Sequence, residues 1–82
     1  MSKKRLIGME WLRARMEEIG YASLQQVADD MCINRGNLWR YFSLHTRPSI
    51  EMLPIFCDVL QASSDEILQA LDVIKPTKSL AA

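Results

Sequence analysis

The chain has 82 residues, 49% of them hydrophobic, with ten basic and ten acidic side chains and a formal net charge of +0. That length supports one core rather than two domains, and it holds neither the roughly 18-residue apolar run of a membrane span nor, in the basic start MSKKRLIGMEWLRAR, a signal-peptide pattern, which points to a cytoplasmic module. Two cysteines and one histidine make no disulfide framework and no four-ligand zinc site, so Cys32 and Cys57 are expected as small buried hydrophobes, with no metal or other cofactor.

The neutrality conceals a polarity. Residues 1–47 carry eight basic and five acidic side chains, a balance of +3, whereas residues 48–82 carry two and five, a balance of −3. A basic front half suits a polyanion even though the whole chain is neutral.

The first eight residues read as a basic arm with Lys3, Lys4 and Arg5. It either follows or enters a nucleic-acid groove or is plain solvated charge. Met9, Leu12, Met16 and Ile19 then recur at spacings of three and four, which predicts a helix ending at Gly20. Ser23 with Gln26 makes a capping box for a second helix, whose buried face is Leu24, Val27, Ala28 and Met31 and which stops near Cys32. Asn34 caps a third helix in which Leu38, Tyr41 and Phe42 face inward and Arg35, Gly36, Asn37 and Arg40 face outward.

The segment SLHTRPS reads as a loop, because Pro48 disfavours helical geometry at Arg47. A fourth helix begins between Ser49 and Met52 with an irregular first turn around Pro54, and its inward face is Ile50, Leu53, Phe56, Cys57 and Leu60. Ser63 with Glu66 makes a second capping box, opening a fifth helix with Ile67, Leu68 and Leu71 inward. Pro76 ends it if it runs so far. No period-two pattern or internal repeat appears, so the expected fold is all-α, a compact five-helix domain over residues 9–74 with a flexible tail at 75–82.

Catalysis finds no foothold in this pattern. There is no enclosed carboxylate pair, no nucleophile with a histidine and an orienting acid, no glycine-rich phosphate loop and no metal spacing, and an enzyme is not expected. What stands out is a short helix, a break of about three residues and a second short helix exposing donors and acceptors, the pattern of a helix-turn-helix whose second helix enters the DNA major groove.

Over residues 9–71 the chain resembles the lambda repressor-like Cro/repressor family, also called the XRE family. The resemblance is carried by SLQQVADDMCINRGNLWRYF and by RPSIEMLPIFCDVLQASSDEIL. Ala28 matches the small residue that packs the second helix on the third, and Val27, Ile33 and Leu38 match the apolar positions that hold their angle. Three positions depart from the family pattern. Leu24 stands where a phosphate-touching glutamine is frequent, and Cys32 and Leu44 stand where glycine is usual, so a non-glycine residue in the turn takes any left-handed conformation at a cost. The resemblance implies a DNA-binding regulator akin to phage, plasmid or restriction-control proteins of similar size. It would act as a repressor that occupies a palindromic site and blocks RNA polymerase, or as a small activator that touches it.

Arginine can donate a bidentate pair to guanine and asparagine to adenine, each pair contributing ~1 to 3 kcal/mol of discrimination. Arg35, Asn37 and Arg40 are therefore the expected base readers. Gly36 either lets the helix backbone approach the groove or is simply tolerated at an exposed first turn. Trp39 lies between the base-facing edge and the protein, either stacking on a sugar or thymine methyl or, as the preferred reading, partly buried. Backbone contacts are expected from Ser43, His45, Thr46 and Arg47 after the third helix, and from Gln25, Gln26 and Asn34 at helix starts, as from the amides of Ser49 and Ile50. Simple capping is the alternative at those helix starts.

One recognition helix covers only a few base pairs, so a homodimer is expected on half-sites about 34 Å apart. Met52, Val59, Leu71, Val73 and Ile74 are the expected interface, unless they merely finish a thin core. The rival reading is a protein-interaction module, such as an antitoxin that binds a toxin through Trp39, Tyr41, Phe42 or the C-terminal apolar residues.

Overall fold

Short-range signals set where each helix starts and stops. In the computed structural model, which describes residues 6–74, five α-helices run in chain order: α1 (Gly8–Ile19), α2 (Leu24–Met31), α3 (Arg35–Phe42), α4 (Leu53–Leu60) and α5 (Ser64–Ala70). No strand occurs among the described residues, and none of their helices is long and apolar enough to cross a membrane. The fold is all-α. Lys3, Lys4 and Arg5, with the tail from residue 75, lie outside the described residues.

Helix α1 buries Leu12 and Met16 and ends on Gly20, whose φ of 107° lets its N–H turn back and donate to the Met16 carbonyl at 2.8 Å. The expected arm is shorter than residues 1–8. Gly8 is buried and opens α1 at φ 62°, because a Cβ there would lie 2.7 Å from the Phe42 carbonyl oxygen. The bare backbone of Gly8 is what lets the two elements touch.

At α2 the Ser23 hydroxyl accepts from the Gln26 N–H at 3.3 Å, one half of the expected capping box. The other half is displaced: Gln26 Oε1 accepts from the N–H of Ala22, one residue before the cap, at 2.8 Å. Val27, Ala28 and Met31 are buried and Leu24 is partly so. Cys32 ends the helix at φ 60°, its N–H shared between the Ala28 and Asp29 carbonyls. That left-handed corner turns Cys32 out to solvent, and Cys57 is only half-buried, so neither thiol fills the core as composition suggested.

Asn34 Oδ1 accepts from the Gly36 N–H at 2.7 Å and starts α3, which buries Leu38 and Phe42. After α3 the chain passes through Leu44 at φ 65°, with the His45 and Thr46 amides donating to the Arg40 carbonyl. The irregular start expected near Pro54 is a single 3-10 turn over Ile50–Met52 running into α4. It also moves Ile50 off the inward face. Ile50 is 81% exposed, while Phe56 and Leu60 further along α4 are fully buried. Ser63 and Glu66 complete both halves of the second capping box, at 3.2 and 2.9 Å.

Phe42, Phe56, Leu12, Leu38, Leu60, Ile67 and Val27 form the centre of one core drawn from all five helices. Helix α3 packs on α1 and α2, and α4 on α1, α2 and α5. Arg15 ties two of these together: its Nε donates to the Leu60 carbonyl at 2.8 Å, and Nη2 donates to that of Gln61. These are carbonyls at the C-terminal, partially negative end of α4, so a cation there satisfies them and opposes the helix dipole. One charge of the basic front half is thereby spent inside the fold.

Cys32 and Leu44 sit in a region that costs an L-residue about 1–2 kcal/mol, of which glycine returns part through the greater entropy of its unfolded chain. Cys32→Gly should therefore stabilise the domain by about 0.5–1 kcal/mol, read as a rise in the thermal midpoint. A fall in the midpoint would show that the thiol makes contacts worth more than the strain.

Candidate nucleic-acid interface

Two faces of α3 are set by the same eight residues. Leu38 and Phe42 are wholly buried, which fixes the rotation of the helix. Gly36, Asn37 and Arg40 lie on the side away from these anchors, while Arg35, one turn before Leu38 on the same stripe, is exposed at the first turn of the helix. Neither the two guanidinium groups nor the Asn37 carboxamide makes a hydrogen bond or ion pair to another described residue. The four expected base-facing residues are all exposed on α3, with Arg35 and Asn37 on different sides of it.

A Cβ at Gly36 would approach Asn34 Oδ1, the oxygen that accepts the Gly36 N–H and caps the helix, to 2.9 Å. That atom is the tip of an exposed side chain and can shift by a few tenths of an ångström, so the cap sets only a mild preference for glycine.

Trp39 is 46% exposed, so it is partly covered by the protein and keeps much of its indole accessible. Its indole lies against the His45 imidazole, with ring centroids 5.2 Å apart and planes 24° apart. His45 therefore acts first as a support for Trp39. Thr46 and Arg47 are exposed beside it, and Ser43 is half-buried at the end of α3.

At the start of α2, Gln25 and Gln26 are exposed but already engaged: the Gln25 amide donates to Asp29 Oδ1 at 2.8 Å, and the Gln26 carbonyl holds the Ala22 N–H. Both side chains still keep amide N–H donors for a phosphate, one on Gln25 and two on Gln26. The Asn34 oxygen is likewise taken by its cap, and Ser49 and Ile50 are exposed at the 3-10 turn.

A further polar link on α2 binds the loop before it. The Tyr21 hydroxyl donates to Asp30 Oδ2 at 2.6 Å, and this bond, with smaller contributions from desolvation and from the charges of Asp30 and Asp58, pushes the Tyr21 pKa up to about 12. A phenol that keeps its proton more firmly when folded adds stability below its unfolded value near 10 and loses it as pH rises through about 12. In a Tyr41→Phe background the remaining phenol should ionise near pH 12 by absorbance, and adding Asp30→Asn should return it toward 10. Ionisation near 10 in both chains would mean the bond does not persist in solution.

Sequence reading missed one participant. Leu24, expected on the buried face of α2, is only partly buried, and with Arg35, Gly36 and Trp39 it lines a shallow groove. Two signals point to it, its place on the first turn of α2 and its standing where the resembled family often has a DNA-facing glutamine. Among the expected interface residues, Leu71 is 4% exposed and belongs to the core, because the chain turns back at α5 and lays it against Ile67 and its neighbours. Met52 and Val59 are half-buried, while Val73 and Ile74 are exposed. Phe42, offered above as a partner-binding aromatic, is fully buried, and Tyr41 is half-buried.

Compared with protein-family models, with curated proteins and with solved structures, the chain has no match.

Proposed function

We propose that this chain is a sequence-specific double-stranded DNA-binding regulator of the lambda repressor-like, Cro/repressor type, which places α3 in the major groove and binds as a homodimer. The observation that carries the reading is the division of α3. Leu38 and Phe42 lock α3 into the core, and its exposed first turn and outer side present two guanidinium groups and a carboxamide without a described protein partner. Those donors are the groups that read guanine and adenine edges, and a helix fixed by two buried anchors leaves only their side chains to be ordered on binding. Arg47 and Thr46 extend the surface toward the phosphates.

Two-fold symmetry then needs a self-complementary patch. Exposed Val73 and Ile74, with half-buried Met52 and Val59, lie in the acidic half of the chain. The same exposed apolar residues favour the rival reading, a module that binds a protein such as a toxin.

Selection of bound sequences from a random duplex pool tests the two readings. A regulator returns a two-fold symmetric site, and its affinity falls steeply with salt through counterion release. Arg35→Ala and Asn37→Ala should each cost about 1–3 kcal/mol on that site and relax preference at one position per half-site. Recovery of no preferred sequence would overturn the reading, and partner binding indifferent to both substitutions would favour the interaction module.

A further inference from the structure

The shallow groove lined by Leu24, Arg35, Gly36 and Trp39 lies on the same face of α3 as the donors assigned to DNA, yet two of its four walls are carbon-rich. Leu24 comes from the first turn of α2 and Trp39 from the second turn of α3, and Gly36 adds no side chain between them. The indole is held from the far side by its stack on His45 at 5.2 Å. Arg35 supplies the only charged edge of the groove. An apolar notch beside a guanidinium is a poor place for a phosphate, whose oxygens would lose water against leucine and indole.

We infer that this notch receives the C5-methyl group of a thymine adjacent to the base that Arg35 engages, so that Leu24 and Trp39 act as specificity-determining residues. The inference rests on the DNA-binding reading above and deepens it. Its chemical basis is that the major-groove edges of the four bases offer nitrogen and oxygen donors and acceptors, and that the thymine methyl is their one apolar group. A surface that carries α3 into that groove brings its apolar notch against that feature, burying a methyl that water otherwise surrounds. Gly36 has a consequence here beyond its cap. It lines the notch without a side chain of its own, so the carbon-rich walls are those of Leu24 and Trp39.

The test removes the methyl from the DNA instead of altering the protein. On the site recovered from the random pool, each thymine is replaced singly by deoxyuridine, which differs from it by that methyl alone. One position per half-site should lose roughly 3- to 10-fold in affinity, about the value of burying one methyl group, and the others should change little. Leu24→Ala and Trp39→Ala should then bind the thymine and uracil sites equally well, because the partner of the methyl is gone.

Full affinity at every substituted position, with dependence on Arg35 intact, would overturn the notch and leave the DNA-binding reading standing. Equal losses on both sites for Leu24→Ala, with the thymine preference retained, would overturn it too, by showing that the leucine only supports packing. Failure to recover any preferred duplex sequence would overturn the functional reading and the notch with it.

Discussion

Phe42→Ala should remove most of the stability of this domain. The ring is wholly buried at the last turn of α3, lies parallel to Trp11 of α1 with centroids 6.1 Å apart, and is tilted against Phe56 of α4 at 5.6 Å. Truncating a buried phenylalanine costs about 3–5 kcal/mol, since the lost transfer energy is compounded by a cavity that neighbours fill only in part. Two aromatic contacts of this kind add about 0.5–1.5 kcal/mol each in favourable settings. Domains of this size are stable by only about 5–10 kcal/mol, so the variant should sit near or below half of the native value. Urea unfolding followed by helical circular dichroism measures the difference, with Phe42→Leu as a companion expected to lose far less. A midpoint within experimental error of the native chain would mean that α3 is held by Leu38 alone.

The same substitution bears on function, because Phe42 and Leu38 are the residues that orient α3. Under the DNA-binding reading, any Phe42→Ala chain that remains folded should lose affinity on all sequences together, unlike Arg35→Ala, which relaxes one position. Loosening an anchor spreads every reader over more orientations, whereas deleting one reader leaves the rest in register.

Much of this architecture is legible in the sequence for an identifiable reason. Helix starts carry their own chemistry: Ser23, Asn34 and Ser63 each present an oxygen to a backbone N–H two or three residues on. Apolar spacing of three and four then names the buried face, as at Leu12 and Met16 or Leu38 and Phe42. The outward face of α3 follows as the complement of its core face.

What escaped depends on contacts between distant segments or on small local rotations. Gly8 reads as part of a basic arm because nothing within ten residues shows that the Phe42 carbonyl will lie against it. Ile50 fits the helical stripe of α4 by count, but a 3-10 turn advances about three residues per turn instead of 3.6, enough to rotate it into solvent. Leu71 fits both the inward stripe of α5 and the dimer interface, and the first holds: its N–H donates to the Ile67 carbonyl at 2.9 Å, continuing the stripe into the core. Cys32 was misplaced for a related reason: composition places cysteine inside, but a left-handed helix end points its side chain away from the helix it closes.

Gly8→Ala carries the largest effect expected from adding a single carbon. Two costs coincide there. The backbone holds φ at 62°, which an L-residue adopts at about 1–2 kcal/mol, and the new Cβ would stand 2.7 Å from the Phe42 carbonyl oxygen, closer than van der Waals contact permits. That oxygen belongs to the main chain at the end of α3, so it cannot swing aside as a side chain would. Either α1 withdraws its first turn or the end of α3 moves, and both disturb the Trp11–Phe42 contact. A total loss of about 2–4 kcal/mol is expected. Gly20→Ala separates the two terms, because φ there is 107° but nothing lies within 4 Å of the added carbon, leaving only the conformational cost. Denaturant midpoints for the two variants should therefore differ, with Gly8→Ala the less stable. Matching losses would mean that the contact between the start of α1 and the end of α3 is open in solution, and that α3 is anchored from the side of α2 and α4 alone.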